Sequence, residues 1–187
     1  MQAIYVFLAN GFEEIEALTT VDVLRRAGLE TITVSIHDEK TVVGAHGIPV
    51  VADERWNDEI WNENLSAAAL VLPGGMPGAM NLGASQPLLE LLAQHYSQSG
   101  LIAAICAAPA MVLRKLNLKP TTKLTCYPGF EVHLSKYTVT DEGLVVDGNI
   151  ITAKGPAYAC DFALSIVEQL KGKETAKLIA EDMLTVW

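Results

Sequence analysis

Among the residues of this chain that can do covalent chemistry, Cys106 has the most informative neighbourhood. It sits in Leu101-Ile-Ala-Ala-Ile-Cys-Ala-Ala-Pro-Ala110, where an apolar run suited to a buried strand passes into small residues and a proline suited to a helix start. A thiol at the C-terminal tip of a central strand lies at the crevice where open α/β sheets bind ligands. It also lies at the positive end of the helix dipole, where thiolate is favoured over thiol. The flanking Ala104, Ala107 and Ala108 leave room for a tight strand-to-helix elbow. Cys106 is therefore the candidate nucleophile. Packing is the competing use of such a cysteine, because a free thiol behaves as a small hydrophobe.

Two further groups shift the balance towards chemistry. Pro73-Gly74-Gly75 follows an apolar strand at the sheet edge where Cys106 should lie. Glycines there let the backbone approach a ligand, and with Ala107 their N–H groups are suited to an oxyanion hole. The second group is an acidic helix start, Glu13, Glu14 and Glu16. Compensation of the helix dipole alone would explain three acids. A catalytic role needs one carboxyl turned inward, kept protonated by burial and hydrogen-bonded to the sulfur. Periodicity puts Glu13 and Glu16 on the flank of the core stripe and Glu14 farther out, and does not choose between the first two.

The histidines contribute less. A Cys-His pair is the usual way to activate a thiol, yet His37, His46, His95 and His133 show no metal-ligand spacing and none follows Cys106 directly. His37 and His95 read as solvated. His46, in a glycine-flanked hairpin, is a surface turn residue within possible reach of the crevice. Cys126, beside Tyr127-Pro128, and Cys160, opening a helix, read as packing.

The elements that must position these groups follow from the pattern. An apolar strand over 3–9, a helix over 13–27 with Ala17, Val21 and Leu24 facing the core, and a β-branched strand over 31–36 make a βαβ unit and hence a parallel sheet. A short hairpin is expected from Val42-Val43 and 48–52, and a helix over 56–65. A buried strand over 67–72 precedes the glycines, and Pro87 heads a helix over 87–99. A helix over 107–116 should follow the elbow, then a strand over 123–126. Leu144-Val-Val-Asp-Gly-Asn-Ile-Ile-Thr152 carries an Asp-Gly hairpin signal. Closing helices are expected over 158–170 and 174–183. The expected architecture is one doubly wound α/β domain, 1–187, with a mostly parallel central sheet.

Composition bounds the partners. A net charge of −9 over 187 residues argues against binding nucleic acid or an anionic membrane surface. The apolar runs fall short of a membrane-spanning length, and the N-terminus has no basic region of the kind that opens a signal peptide. Three scattered cysteines form neither a CxxC nor an even framework, so a reducing cytoplasmic setting is expected.

Ala9-Asn-Gly-Phe-Glu-Glu-Ile-Glu16, Val21-Asp-Val-Leu-Arg-Arg-Ala-Gly28, Val71-Leu-Pro-Gly-Gly75, the Cys106 run, and Gly155-Pro156 with Asp161-Phe-Ala-Leu164 occur in that order. Together they resemble the ThiJ/PfpI superfamily, in the branch of the parkinsonism-associated protein deglycase. The resemblance spans essentially the whole chain. It implies a flavodoxin-like sandwich, a homodimer, and no metal or organic cofactor. It also implies that Cys106 is an oxidation-prone nucleophile, Glu16 the buried acid paired with it, and Gly74 and Gly75 the oxyanion loop. Tyr127 stands where this branch often carries a histidine; with a reference pKa of about 10, a tyrosine is a poor base near neutral pH. His46 takes a hairpin position where arginine is frequent. The resemblance points to a cofactor-free glyoxalase or deglycase acting on a small aldehyde, a dicarbonyl or its adducts. A redox sensor or chaperone using Cys106 without turnover, and an amidotransferase-like hydrolase, are the alternatives.

Overall fold

The computed structural model describes residues 2–56 and 66–187. In chain order the strands are β1 (Ala3–Leu8), β2 (Thr31–Ser35), β3 (Thr41–Val43), β4 (Pro49–Val51), β5 (Glu54–Arg55), β6 (Ala67–Leu72), β7 (Leu101–Ile105), β8 (Lys123–Leu124), β9 (Thr138–Val139), β10 (Leu144–Asp147) and β11 (Ile150–Ala153). The helices are α1 (Glu14–Arg26), α2 (Gly78–Ala84), α3 (Gln86–Ser97), α4 (Ala108–Met111), α5 (Ala159–Lys171) and α6 (Lys173–Asp182). Seven strands form one sheet in the order β10-β11-β7-β6-β1-β2-β5. Only β10, paired with β11, runs antiparallel. This is the doubly wound, mostly parallel arrangement that the strand–helix alternation implies, and the flavodoxin-like one that the resemblance implies.

The central strands are continuous apolar runs because helices cover the sheet. Every residue of β7 is buried, and β1 and β6 are buried at all but one position each. α1 packs on α5, and α5 on α6. Phe7, Phe12 and Phe162 are fully buried in the resulting core. Burying a side chain of that size contributes roughly 1.5–3 kcal/mol.

The hairpins fall where they are expected. β3–β4 stands off as a two-stranded sheet of its own, and Gly148, with a φ of +60°, turns β10 into β11. The helix expected over 56–65 lies outside the described residues from residue 57 onward. Trp56 itself is non-helical, its ring 6.1 Å from Phe7.

Other expectations are corrected. The helix after the elbow is a single α turn, followed by a 3₁₀ turn over Leu113–Lys115 in which Lys115 and Leu116 bond three residues back. The strand expected over 123–126 stops at Leu124, because the Thr125 N–H leaves the ladder for Thr152 Oγ1 at 3.0 Å. α2, with the sequence GAMNLGA, is a helix to which the sequence pattern assigns no element. It forms because it packs close against Gly11 and Phe12, where a Cβ on Gly78 would lie 2.5 Å from the Phe12 nitrogen. His95 is not solvated. It is buried, with Nε2 3.1 Å from the Leu101 carbonyl, and burial lowers its pKa.

Candidate active site

β7 ends at Ile105, and α4 cannot begin until the chain has turned through Cys106. The turn places Cys106 at a φ of +64°, in the left-handed region that a residue with a Cβ normally avoids. Two main-chain bonds hold it there: its N–H donates to Ala153 O at 2.8 Å, and its carbonyl accepts from the Tyr127 N–H at 2.8 Å. Such strain costs of order 1–3 kcal/mol and persists only where the surroundings over-determine it.

The loop after β6 closes round the same sulfur. A Cβ on Gly74 would lie 2.5 Å from Cys106 Cβ and 2.7 Å from Glu16 Oε2, so only glycine fits between nucleophile and acid. Gly75 has a φ of +85°, and its Cβ would strike the Glu13 nitrogen at 2.4 Å. The N–H groups of Gly75 and Ala107 lie beside the sulfur and favour its charged form. The Gly74 carbonyl accepts the Glu13 N–H at 3.0 Å, which ties this loop to the start of α1.

α1 then turns Glu16 inward. Its carboxyl is fully buried; Oε2 accepts the Gly74 N–H at 2.8 Å, while Oε1 has no hydrogen-bond partner of good geometry. Burial pushes Glu16 up to about 7, opposed by the bond from Gly74 and by its interaction with the Cys106 thiol, and aided by the Glu13 charge. Burial also pushes the Cys106 thiol up to about 12, with the Glu16 charge acting in the same direction and the Gly75 and Ala107 N–H groups against it. Burial and the Glu16 charge thus act against the thiolate expected from the sequence, and the Gly75 and Ala107 N–H groups act for it. The helix after the elbow is one turn long and adds little dipole beside a sulfur that is only 8% exposed. The arrangement is a thiol beside an acid that titrates near neutral pH, suited to take the thiol proton as the sulfur attacks.

The sulfur is reached through a pocket of about 280 Å³ lined by Glu13, Gly75, Met76, Cys106, Ala107, Tyr127, Phe130 and Pro156. Cys106, Gly75, Ala107 and Tyr127 thus meet as the sequence reading grouped them, with Glu16 behind the sulfur and Gly74 between the two. Tyr127 contributes its backbone N–H and a ring in edge contact with Phe130, their centroids 6.2 Å apart. His46 does not line the pocket. Its Nδ1 lies 2.9 Å from Glu14 Oε2 and 3.7 Å from Glu13 Oε2, with the side chain 68% exposed. Glu14, placed farther out by periodicity, is buried because the hairpin folds over it. Its Oε1 accepts the N–H groups of His46 and Ile48 at 2.8 and 3.4 Å. Burial works to raise the Glu14 carboxyl, but these bonds and the one from the His46 ring outweigh it and hold it low.

Glu13, Glu14 and His46 offer donor atoms within 4.8 Å of one another, in the manner of a metal site. Both Glu14 oxygens are already engaged by N–H groups, and a helix N-terminus favours anions over cations, so the cluster reads as an ion pair. No spacing signal joins residues 14 and 46, and the sequence reading missed the pair. It also missed Met76, Phe130 and Pro156, which are ordinary apolar residues until the fold lines them up. Cys126 is packed, as expected, its thiol pushed up to about 11 by burial and the Glu131 charge.

A flavodoxin-like sheet with a strained cysteine elbow, a buried acid and neighbouring backbone N–H groups defines a class of α/β proteins built around one thiol at a strand end. Within that class the chain belongs to the DJ-1/PfpI family, whose pattern matches residues 2–169. It is 37% identical over 184 residues to Protein dj-1beta of Drosophila melanogaster, covering 97% of this chain and 96% of that one. It is 35% identical over 164 residues to the Glutathione-independent glyoxalase DJR-1.2 of Caenorhabditis elegans, covering 87% and 84%. The structure of oxidized Toxoplasma gondii DJ-1 superposes with a TM-score of 0.93 at 37% identity over the whole of both chains.

Proposed function

We propose that this protein is a cofactor-free, cysteine-dependent glyoxalase of the deglycase type, acting on reactive dicarbonyls or their adducts. The observation that carries the reading is Cys106 at a φ of +64°, with Glu16 against the sulfur and the Gly75 and Ala107 N–H groups beside it. The name of the nematode relative supports the same class.

With methylglyoxal the steps balance as follows. Cys106 Sγ bonds to the aldehyde carbon while Glu16 takes the thiol proton. The Gly75 and Ala107 N–H groups hold the alkoxide, which Glu16 then protonates to a hemithioacetal. Glu16 moves the proton from that carbon to its neighbour, giving the isomeric lactoyl thioester with no external oxidant. Water cleaves the thioester, releasing lactate and the thiol. Lactate formation from methylglyoxal tests the reading. It should be lost in Cys106→Ser, and equal rates in the two proteins would overturn it.

The unpartnered Glu16 Oε1 favours a second reading, in which that oxygen hydrogen-bonds an oxidised sulfur and Cys106 serves as a redox sensor. The raised thiol pKa weighs against rapid oxidation, since the thiolate is the reactive form. An intact mass unchanged by mild peroxide would remove this alternative.

A homodimer belongs to the same proposal. The exposed Ile15 and Leu18 on α1, together with Ile48 and Val51 of the neighbouring hairpin region, support an apolar face for a second copy. Sedimentation at micromolar concentration tests it. The three free cysteines support a cytoplasmic setting. Among the described residues no helix is long and apolar enough to cross a membrane.

A further inference from the structure

We propose that Glu13 sets the charge selectivity of the Cys106 pocket, admitting carbonyl compounds whose non-reacting part is neutral or cationic and turning away those that carry an anion. The substrate class rests on the glyoxalase reading; the selectivity itself does not require turnover.

Among the described residues Glu13 is the only charged one lining the pocket; Met76, Phe130 and Pro156 are apolar, and Tyr127 adds a ring. The Glu13 carboxylate is not needed to hold its own helix. Glu13 is the N-cap of α1, yet its side chain makes no capping bond; the backbone does that work, its N–H to Gly74 O and its carbonyl to the Ala17 N–H. The nearest cation does not cancel it. His46 Nδ1 is 3.7 Å away and already 2.9 Å from Glu14, so one imidazole faces two carboxylates and the group stays net negative even when His46 is protonated. The Glu13 residue is only 9% exposed, so its field reaches the pocket with little screening by solvent. Its charge already acts on Glu16. An incoming carboxylate meets that field with no Lys or Arg among the described lining residues to receive it. A guanidinium or ammonium group is attracted, and Tyr127 and Phe130 line the same pocket.

The test is the rate at which Cys106 is alkylated by neutral iodoacetamide and by anionic iodoacetate, read on the Cys106 peptide by mass spectrometry. In each case the S–C bond forms, iodide leaves and the thiol proton is lost. Relative to free glutathione, the wild type should prefer iodoacetamide by about tenfold or more, as expected of an uncompensated charge in a poorly screened site. Glu13→Gln should abolish the excess, and Glu13→Asp, which keeps the charge, should retain it. A purely structural role would affect Gln and Asp variants alike and both reagents equally. The same ratio in wild type and Glu13→Gln overturns the proposal. The turnover ratio of methylglyoxal to 4,5-dioxovalerate, a dicarbonyl whose non-reacting end is a carboxylate, gives a second readout and should fall in Glu13→Gln. Charge-selective alkylation without lactate formation would leave Glu13 its role and remove the glyoxalase reading. Cys106-dependent lactate formation with no charge selectivity would do the reverse.

Discussion

Gly74 and Glu16 are joined by one hydrogen bond, from the backbone N–H to Oε2 at 2.8 Å, and that bond turns the other carboxyl oxygen into a buried atom without a partner. It connects the loop after β6 to the first turn of α1, and so holds the acid against the sulfur. The chemistry proposed for Cys106 depends on the charge that this acid carries.

Glu16 should make the protein less stable as pH rises. Its native pKa of about 7, against an ordinary 4.5, means that the folded state binds more protons than the unfolded state between those values. The stabilisation is complete below pH 4.5 and is lost by about pH 7, a span of about 3 kcal/mol. Glu16→Gln should lack this dependence, and denaturant unfolding at pH 5 and pH 8 would show it. If wild type and Glu16→Gln change in parallel, the carboxyl does not titrate as a buried acid. Lactate formation in Glu16→Gln should fall by about 10²–10⁴-fold, the usual effect of removing a general base.

Gly74→Ala should disable the site and weaken the fold. The new methyl would lie 2.5 Å from Cys106 Cβ and 2.9 Å from the Ile105 carbonyl, and neither can move without disturbing the elbow. Overpacking of this kind costs roughly 1–3 kcal/mol. A variant of wild-type stability whose Cys106 is alkylated at the wild-type rate would contradict the close packing described above.

The imidazole of His46 should titrate above 6.5, because the Glu14 hydrogen bond and then the Glu13 and Glu14 charges favour its protonated form. Any stabilisation from this pairing is present below 6.5 and disappears as pH rises through the shifted value. NMR titration would follow it directly. Glu14→Gln should move the midpoint down towards the ordinary value, and an unmoved midpoint would mean that the pair is not formed in solution.

Tyr127→Phe should retain turnover within about threefold, since what Tyr127 gives the elbow is its backbone N–H and its ring, not its hydroxyl. Loss of an acid–base residue would instead cost about 10²-fold or more. Lactate formation at saturating methylglyoxal separates the two outcomes.

Much of the framework is legible in local sequence. The apolar run that ends at Cys106, the βαβ pattern over the first 36 residues and the Asp-Gly hairpin each read correctly, because backbone geometry and hydrophobic faces are encoded within a few residues of one another. The inward turn of Glu14, the burial of His95 and the helix formed by GAMNLGA are not legible. Each depends on an element far away in the chain: the hairpin at His46, the Leu101 carbonyl, the Gly11–Phe12 turn.

The same division runs through the active site. The sequence alone singled out Cys106 as the candidate nucleophile and the Gly74–Gly75 loop as its neighbour, since an apolar strand running into small residues and a proline marks a tight elbow. Only the tertiary structure decided that burial pushes both Cys106 and Glu16 towards their protonated forms, and that Glu13 rather than His46 lines the pocket. Protonation is set by desolvation and by charges brought together from α1 and the β6 and β7 loops, and neither quantity exists until those segments have packed.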